Sequence, residues 1–176
     1  MKIALIAVSA LVLLVVVVVA VGYMLPQHHR ASRERDFAVA PNRVFAAISR
    51  PSEFPKWRGD VQRVELLPEE GGRARFREKG SNGDIVYEVE ERVPDRRLVT
   101  RIADRSLPFG GSWTYELTPT ASGTSLKITE NGEVYNPLFR FMSRFVFGHY
   151  TGLETYVRDL GSHLGEQVTP VRDPQS

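Results

Sequence analysis

His149 is the first residue to weigh for chemistry. It falls in the series Leu138, Met142, Phe145, His149, Leu153, Tyr156, Leu160 and Leu164, whose three-and-four spacing marks one side of a helix. An imidazole there could act as a general base or orient a ligand, because it titrates near neutral pH. No acid or nucleophile stands beside it in sequence. A hydrogen-bonded core histidine, or one at a cavity mouth, is therefore the plainer reading. Glu130 is the second candidate, in phase with Leu126 and Ile128 on an inward strand face. A carboxylate buried there would need a partner or a raised pKa. A strand-end carboxylate in solvent is the plainer reading, and Arg101, the nearest candidate partner, is out of phase with its own inward face.

A second set of residues suits binding better than catalysis. Phe76, Tyr87, Trp113 and Tyr115 fall on strand-like stretches, and Phe141, Phe145, His149 and Tyr156 on the helical one. Most can be ordinary core. Apolar pockets are also walled in this way, with a few polar groups to orient the guest. Together with Trp57, the residues Phe76, Tyr87, Trp113, Tyr115, Phe141, Phe145 and His149 form the candidate ligand-binding set. Leu107 and Phe109, large apolar residues in the loop Ser106 to Gly111, are candidates for a gate that touches the membrane. Their alternative is a small cluster folded back onto the final helix.

The exclusions are firmer. The chain has 176 residues, four histidines and no cysteine, so disulfide and thiolate chemistry are ruled out. The histidines make no metal-ligand spacing. There is no glycine-rich phosphate loop, Ser-His-Asp order or nucleophile elbow. No catalytic residue, metal or cofactor is assigned. The formal net charge of +2, with arginines scattered among acids, gives no nucleic-acid footprint.

The elements that must position these residues follow in order. Ile3 to Leu25 is apolar and uncharged, and as a helix spans about 34 Å, enough for a bilayer core. It is far longer than the usual ~7–15 apolar residues of a cleaved signal peptide. A single-pass N-terminal anchor is expected over residues 1–26, with membrane as the location and as a partner. Lys2 lies on one side, and Arg30, Arg33 and Arg35 on the other. Because Arg33 and Arg35 can belong to the folded domain, the side stays open.

Residues 27–32 read as a linker, 33–165 as the folded domain and 166–176 as a flexible tail. The domain opens with a strand over Glu34 to Val39 and a short helix over Pro41 to Ser49. A second short turn of helix or an irregular bend follows over Pro51 to Trp57. Strands are expected over Val61 to Leu67, Arg73 to Lys79, Asp84 to Val93, Arg97 to Arg105, Ser112 to Thr118 and Thr124 to Glu130. One long helix then runs from Asn136 to Leu164, with Asn136 as N-cap and Pro137 at its first position. The pattern is α+β: a curved antiparallel sheet that must bury the apolar face of that helix.

The opening Phe37-Ala38-Val39-Ala40-Pro41-Asn42-Arg43-Val44-Phe45, followed by Pro51-Ser52-Glu53-Phe54-Pro55-Lys56-Trp57, resembles a known family. It is similar to the START-like helix-grip superfamily, also called SRPBCC or polyketide cyclase/dehydrase-like. The closer resemblance is to a bacterial subgroup with a membrane helix just before the first strand. The likeness runs over residues 33 to 164. It implies a helix-grip fold with an apolar cavity between sheet and C-terminal helix. It also implies that a hydrophobic small molecule or lipid binds there. Some relatives are cyclases, aromatases or hydrolases that use no cofactor, and fold alone does not choose among these. Binding is the first reading. A cofactor-independent cyclase-, aromatase- or hydrolase-type enzyme is the second, and would need an inward polar pair with a perturbed pKa. An interaction module with a collapsed pocket is the third.

Overall fold

The computed structural model describes residues 2–147 and 150–166. An apolar helix, α1 (Lys2–Met24), precedes seven strands: β1 (His28–Phe37), β2 (Val61–Glu70), β3 (Arg73–Gly80), β4 (Gly83–Val93), β5 (Arg97–Ile102), β6 (Phe109–Thr120) and β7 (Gly123–Val134). Helix α2 (Pro41–Ile48) and a 3₁₀ turn (Pro51–Lys56) lie between β1 and β2. After β7 come α3 (Pro137–Met142), a π turn (Ser143–Phe147) and α4 (Thr151–His163).

The strands form one curved antiparallel sheet in the order β1-β7-β6-β5-β4-β3-β2. Hairpins join β2 through β7 in sequence, since each turn is short and supplied with residues suited to it. The α2 crossover carries the chain from β1 to β2, at opposite edges of the sheet. The last strand then returns beside the first, with Phe37 opposite Thr124 and His28 opposite Glu133. The fold is the α+β helix grip that the sequence implies.

The inward face is read from strand period. Trp113, Tyr115 and Leu117 of β6 sit opposite Glu130, Ile128 and Leu126 of β7. Leu126 and Ile128 are fully buried, with Phe37, Val44 and Ile48 beside them. Helix α4 covers this face with Leu153, Val157, Leu160 and Leu164, the four-three-four spacing of one helix side. Burying a side chain such as Leu160 stabilises the fold by about 1.5–3 kcal/mol.

Three details differ from the sequence expectation. Residues 28–32 are not linker but the first half of β1, each paired with β7. The inward phase of β1 is Ala31, Arg33, Arg35 and Phe37, so arginines hide the alternation. Arg35 is 1% exposed, donates to the Val157 carbonyl of α4 at 3.1 Å and lies over the Phe37 ring. Gly161 makes room for it, since a Cβ there would fall on the Arg35 guanidinium.

The second difference is the final helix, which is divided into α3, the π turn and α4. Asn136 does cap α3, its Oδ1 accepting from the Leu138 and Phe139 amides. Its apolar series, however, is split. Leu153 and Leu160 reach the core, whereas Leu138 and Phe145 are exposed. The π turn shifts the helical phase, and Gly152, a poor helix former, stands in the first turn of α4. Third, β6 begins at Phe109, so Phe109 is a paired strand residue opposite Val134 rather than a loop tip. The tail expected over 166–176 lies, beyond Glu166, outside the described residues.

Candidate functional site

Strand period and the 3₁₀ turn bring a ring of aromatic side chains together under α4. Phe54 and Trp57, at the two ends of the last 3₁₀ turn, meet edge to face at 5.7 Å between ring centres. Phe54 reaches Phe76 of β3 at 6.1 Å, and Phe76 stacks on Tyr87 of β4 at 5.4 Å. Tyr87 meets Trp113 of β6 at 5.9 Å. Tyr115, two residues on and on the same face, meets Tyr156 of α4 at 5.6 Å, and Tyr156 returns to Trp57 at 5.2 Å. Each such pair contributes about 0.5–1.5 kcal/mol beyond the area it buries.

A charged group sits inside this ring. Arg58 donates from Nε and Nη2 to both carboxylate oxygens of Asp60, at 3.1 and 2.7 Å. Its Nη1 donates to Glu78 at 2.8 Å. The guanidinium also lies over the Phe54 and Tyr156 rings. Glu78, two residues after Phe76 on β3, is 7% exposed. One cation thus serves two carboxylates, and Asp60 takes two of its three hydrogen bonds. Burial works to lower the Arg58 pKa, but the bonds to Asp60 and the Glu78 charge outweigh it and hold the guanidinium above its ordinary value. Glu78, with one bond, is raised by burial despite Arg58. Burial also lifts the neighbouring phenols. Tyr115 is pushed up to about 12, and Tyr87 and Tyr156 rise well above the usual range.

One polar atom in the ring, the Trp57 Nε1, is buried without a hydrogen-bond partner, and the buried Tyr156 hydroxyl has only the Tyr115 phenol to turn to. Leaving such a group unmet costs about 1–3 kcal/mol. Beside the ring, at Asp60, Val61, Glu78 and Tyr87, a void of about 10 Å³ has room for one water at most. A larger open groove of about 350 Å³ lies at the end of the β1–β7 pair, lined by His28, His29, Arg30, Asn131, Gly132 and Glu133.

The family model for polyketide cyclase / dehydrase and lipid transport matches residues 28–159. The chain belongs to that family. Its match begins where β1 begins and ends within α4, so the family unit is the whole grip. A search of curated proteins found no match. Among solved structures, a START superfamily protein from Mycobacterium smegmatis is similar at a TM-score of 0.62 and 15% identity. The alignment covers 78% of this chain and 97% of that one. A protein from Mesorhizobium loti is similar at 0.59 and 20% identity, covering 80% and 100%. The di-domain ARO/CYC StfQ from the steffimycin biosynthetic pathway is similar at 0.63 and 12% identity, over 77% of this chain and 50% of that one. These likenesses support the fold of this polyketide cyclase-like domain.

Of the residues chosen from sequence, Trp57, Phe76, Tyr87, Trp113 and Tyr115 come together in the ring. Phe141 and Phe145 do not. They meet each other at 4.9 Å on α3 and the π turn, outside both buried clusters. His149 lies outside the described residues. Leu107 and Phe109 are half-buried. Glu130 is half-buried opposite Trp113, with His29 Nε2 3.7 Å away. Arg101 does not reach Glu130 and pairs with Glu90 and Glu133 instead. Sequence reasoning missed Arg58 and Glu78. The available signal was the phase of Glu78 with Phe76, which puts a carboxylate on an inward face.

Proposed function

We propose that this chain is a membrane-anchored domain that takes up a hydrophobic small molecule or lipid between its sheet and α4. The observation that carries the reading is the buried, unmet donor Trp57 Nε1 on the wall of an aromatic ring, beside a Tyr156 hydroxyl that has only the Tyr115 phenol to turn to. Such a wall suits an apolar, partly planar guest that presents one or two acceptor oxygens. Removing apolar surface from water supplies about 25 cal/mol per Å², and the Trp57 donor, with the Tyr156 hydroxyl where it leaves Tyr115, orients the acceptor. The ring already closes on itself, so uptake parts Tyr156 from Trp57. The family's own description joins polyketide cyclases with lipid transport, which agrees with a guest of this class. Anchoring is supported by α1, 23 residues long, apolar and exposed along nearly its whole length.

The test is native mass spectrometry of the full chain extracted in mild detergent, beside a Trp57→Phe, Tyr156→Phe variant. An apolar mass should travel with the native protein and be depleted in the variant. Bare protein from several detergents, with no uptake of lipid from added vesicles, would overturn the reading and favour an interaction module with a collapsed interior.

A cyclase-type enzyme is the second reading, favoured by one observation. Glu78 is an inward carboxyl with a raised pKa, held by Arg58 beside Tyr87. That is a proton donor and acceptor placed against an apolar guest. A bound polyketide-like carbonyl compound that is converted by the native chain and returned unchanged by Glu78→Gln would decide for it.

A further inference from the structure

The anchor helix does not hang from the domain on a free tether. Gly22 of α1 is buried, and a Cβ there would fall on the Pro137 carbonyl oxygen, so helix backbone meets helix backbone. Arg140 of α3 is 7% exposed. Its Nη1 donates to the carbonyls of Gly22 at 3.3 Å and Leu25 at 3.1 Å, and its Nη2 to the Tyr135 carbonyl at 3.0 Å. The last carbonyls of a helix lack partners within it and carry the negative end of its dipole. A guanidinium placed there satisfies both needs. The first helix of the chain is thereby locked to the segment that follows its last strand.

That lock sets a depth. From Ile3, α1 rises about 34 Å to Leu25, against a bilayer core of about 30 Å, so Gly22 to Leu25 falls at the membrane–water interface. Arg140 holds α3 at that level. What this segment turns outward is mainly apolar: Leu138 and Phe139 are nearly half exposed and Phe145 is 60% exposed, with Arg144 as an exposed cation whose long stem can reach the headgroups. Tyr23 and Met24 of α1 are exposed at the same level. A face meant for water would be polar, whereas aromatic side chains gather at the headgroup level of membranes. We propose that residues 137–147 form an interfacial element that beds Leu138, Phe139 and Phe145 into the lipid surface crossed by α1. The Arg140 clamp then holds the domain in one orientation on that surface. The inference rests on α1 crossing a membrane.

The chain has no cysteine, so single cysteines can carry spin labels without interference. The full chain is reconstituted in vesicles of phosphatidylcholine and phosphatidylglycerol, labelled one site at a time at Val12→Cys, Phe139→Cys, Phe145→Cys and Ser122→Cys. Ser122 lies in the exposed β6–β7 turn. Accessibility to oxygen and to a water-soluble nickel chelate gives the depth of each label. The labels at positions 139 and 145 should be several-fold less accessible to nickel than the one at 122, and shallower than the one at 12. Adding Arg140→Gln should loosen the label at 139. Labels at 139 and 145 as aqueous as the one at 122, with the label at 12 deep, would overturn the proposal and leave the anchor standing. Dipolar broadening at 145 would show a second copy on this face and would overturn it too. An aqueous label at 12 would remove the anchor itself, and this inference with it.

Discussion

Replacing Arg58 by methionine isolates the buried charge cluster. The thioether keeps most of the stem that packs on Phe54 and Tyr156 but removes the cation. Three hydrogen bonds to carboxylates, at 2.7 to 3.1 Å, are lost. Asp60 is partly exposed and can turn to water. Glu78, at 7% exposure, cannot. Breaking a buried pair by removing one partner costs about 3–5 kcal/mol, and that is the expected loss at pH 7. The pH dependence has a definite sign. Burial already raises the native Glu78 pKa above its ordinary value. Without Arg58 nothing comparable opposes that rise, so it grows. A raised native pKa favours the fold fully below the unfolded value of about 4.3, and that advantage is lost as pH rises through the native value. The penalty of Arg58→Met should therefore shrink to about 1–2 kcal/mol at pH 4, where Glu78 is protonated and only hydrogen bonds are missing. Urea unfolding of the full chain in detergent, followed by circular dichroism at the two pH values, measures this. The double variant Arg58→Met, Glu78→Gln has no buried charge left, and should recover most of the loss at pH 7. Equal losses at both pH values, or a double variant no better than Arg58→Met, would refute the reasoning that Glu78 carries an underpaired buried charge.

Leu160→Ala should destabilise the fold by about 2–5 kcal/mol in the same unfolding assay, whereas Phe145→Ser on the exposed π turn should change it by less than about 0.5 kcal/mol. Trp57→Phe removes an unmet buried donor while keeping a ring, so stability should hold or rise and retention of a bound apolar mass should fall. For the buried phenols the native pKa lies above the unfolded value of about 10. Their contribution is complete below that pH and is lost as pH rises through the native value, about 12 for Tyr115. Alkaline titration followed at the phenolate absorbance should show these tyrosines ionising only as the protein unfolds.

What the sequence determined by itself is what depends on local period and local turn chemistry. Trp113, Tyr115 and Leu117 alternate, as do Leu126 and Ile128, because strand side chains point to opposite faces in turn. Their inward face was legible before any fold was known. So were the apolar length of α1, the Asn136 cap and the strand core of the aromatic set. Tertiary structure decided the rest, because it depends on residues far apart in sequence. Arg35 and Arg33 occupy inward positions of β1, where charge conceals the period, and only the approach of Gly161 and the Val157 carbonyl makes room for Arg35. Glu78 shares the inward phase of Phe76, but its partner Arg58 lies twenty residues earlier, outside any local period. The eight residues of the helical series Leu138 to Leu164 fit one continuous helix equally well. The fold divides that helix because its two ends have different partners: α4 packs on the sheet, while Pro137 and Arg140 grip the end of α1, more than a hundred residues away along the chain. Periodicity reports which residues share a side of an element, and only packing reports what that side meets.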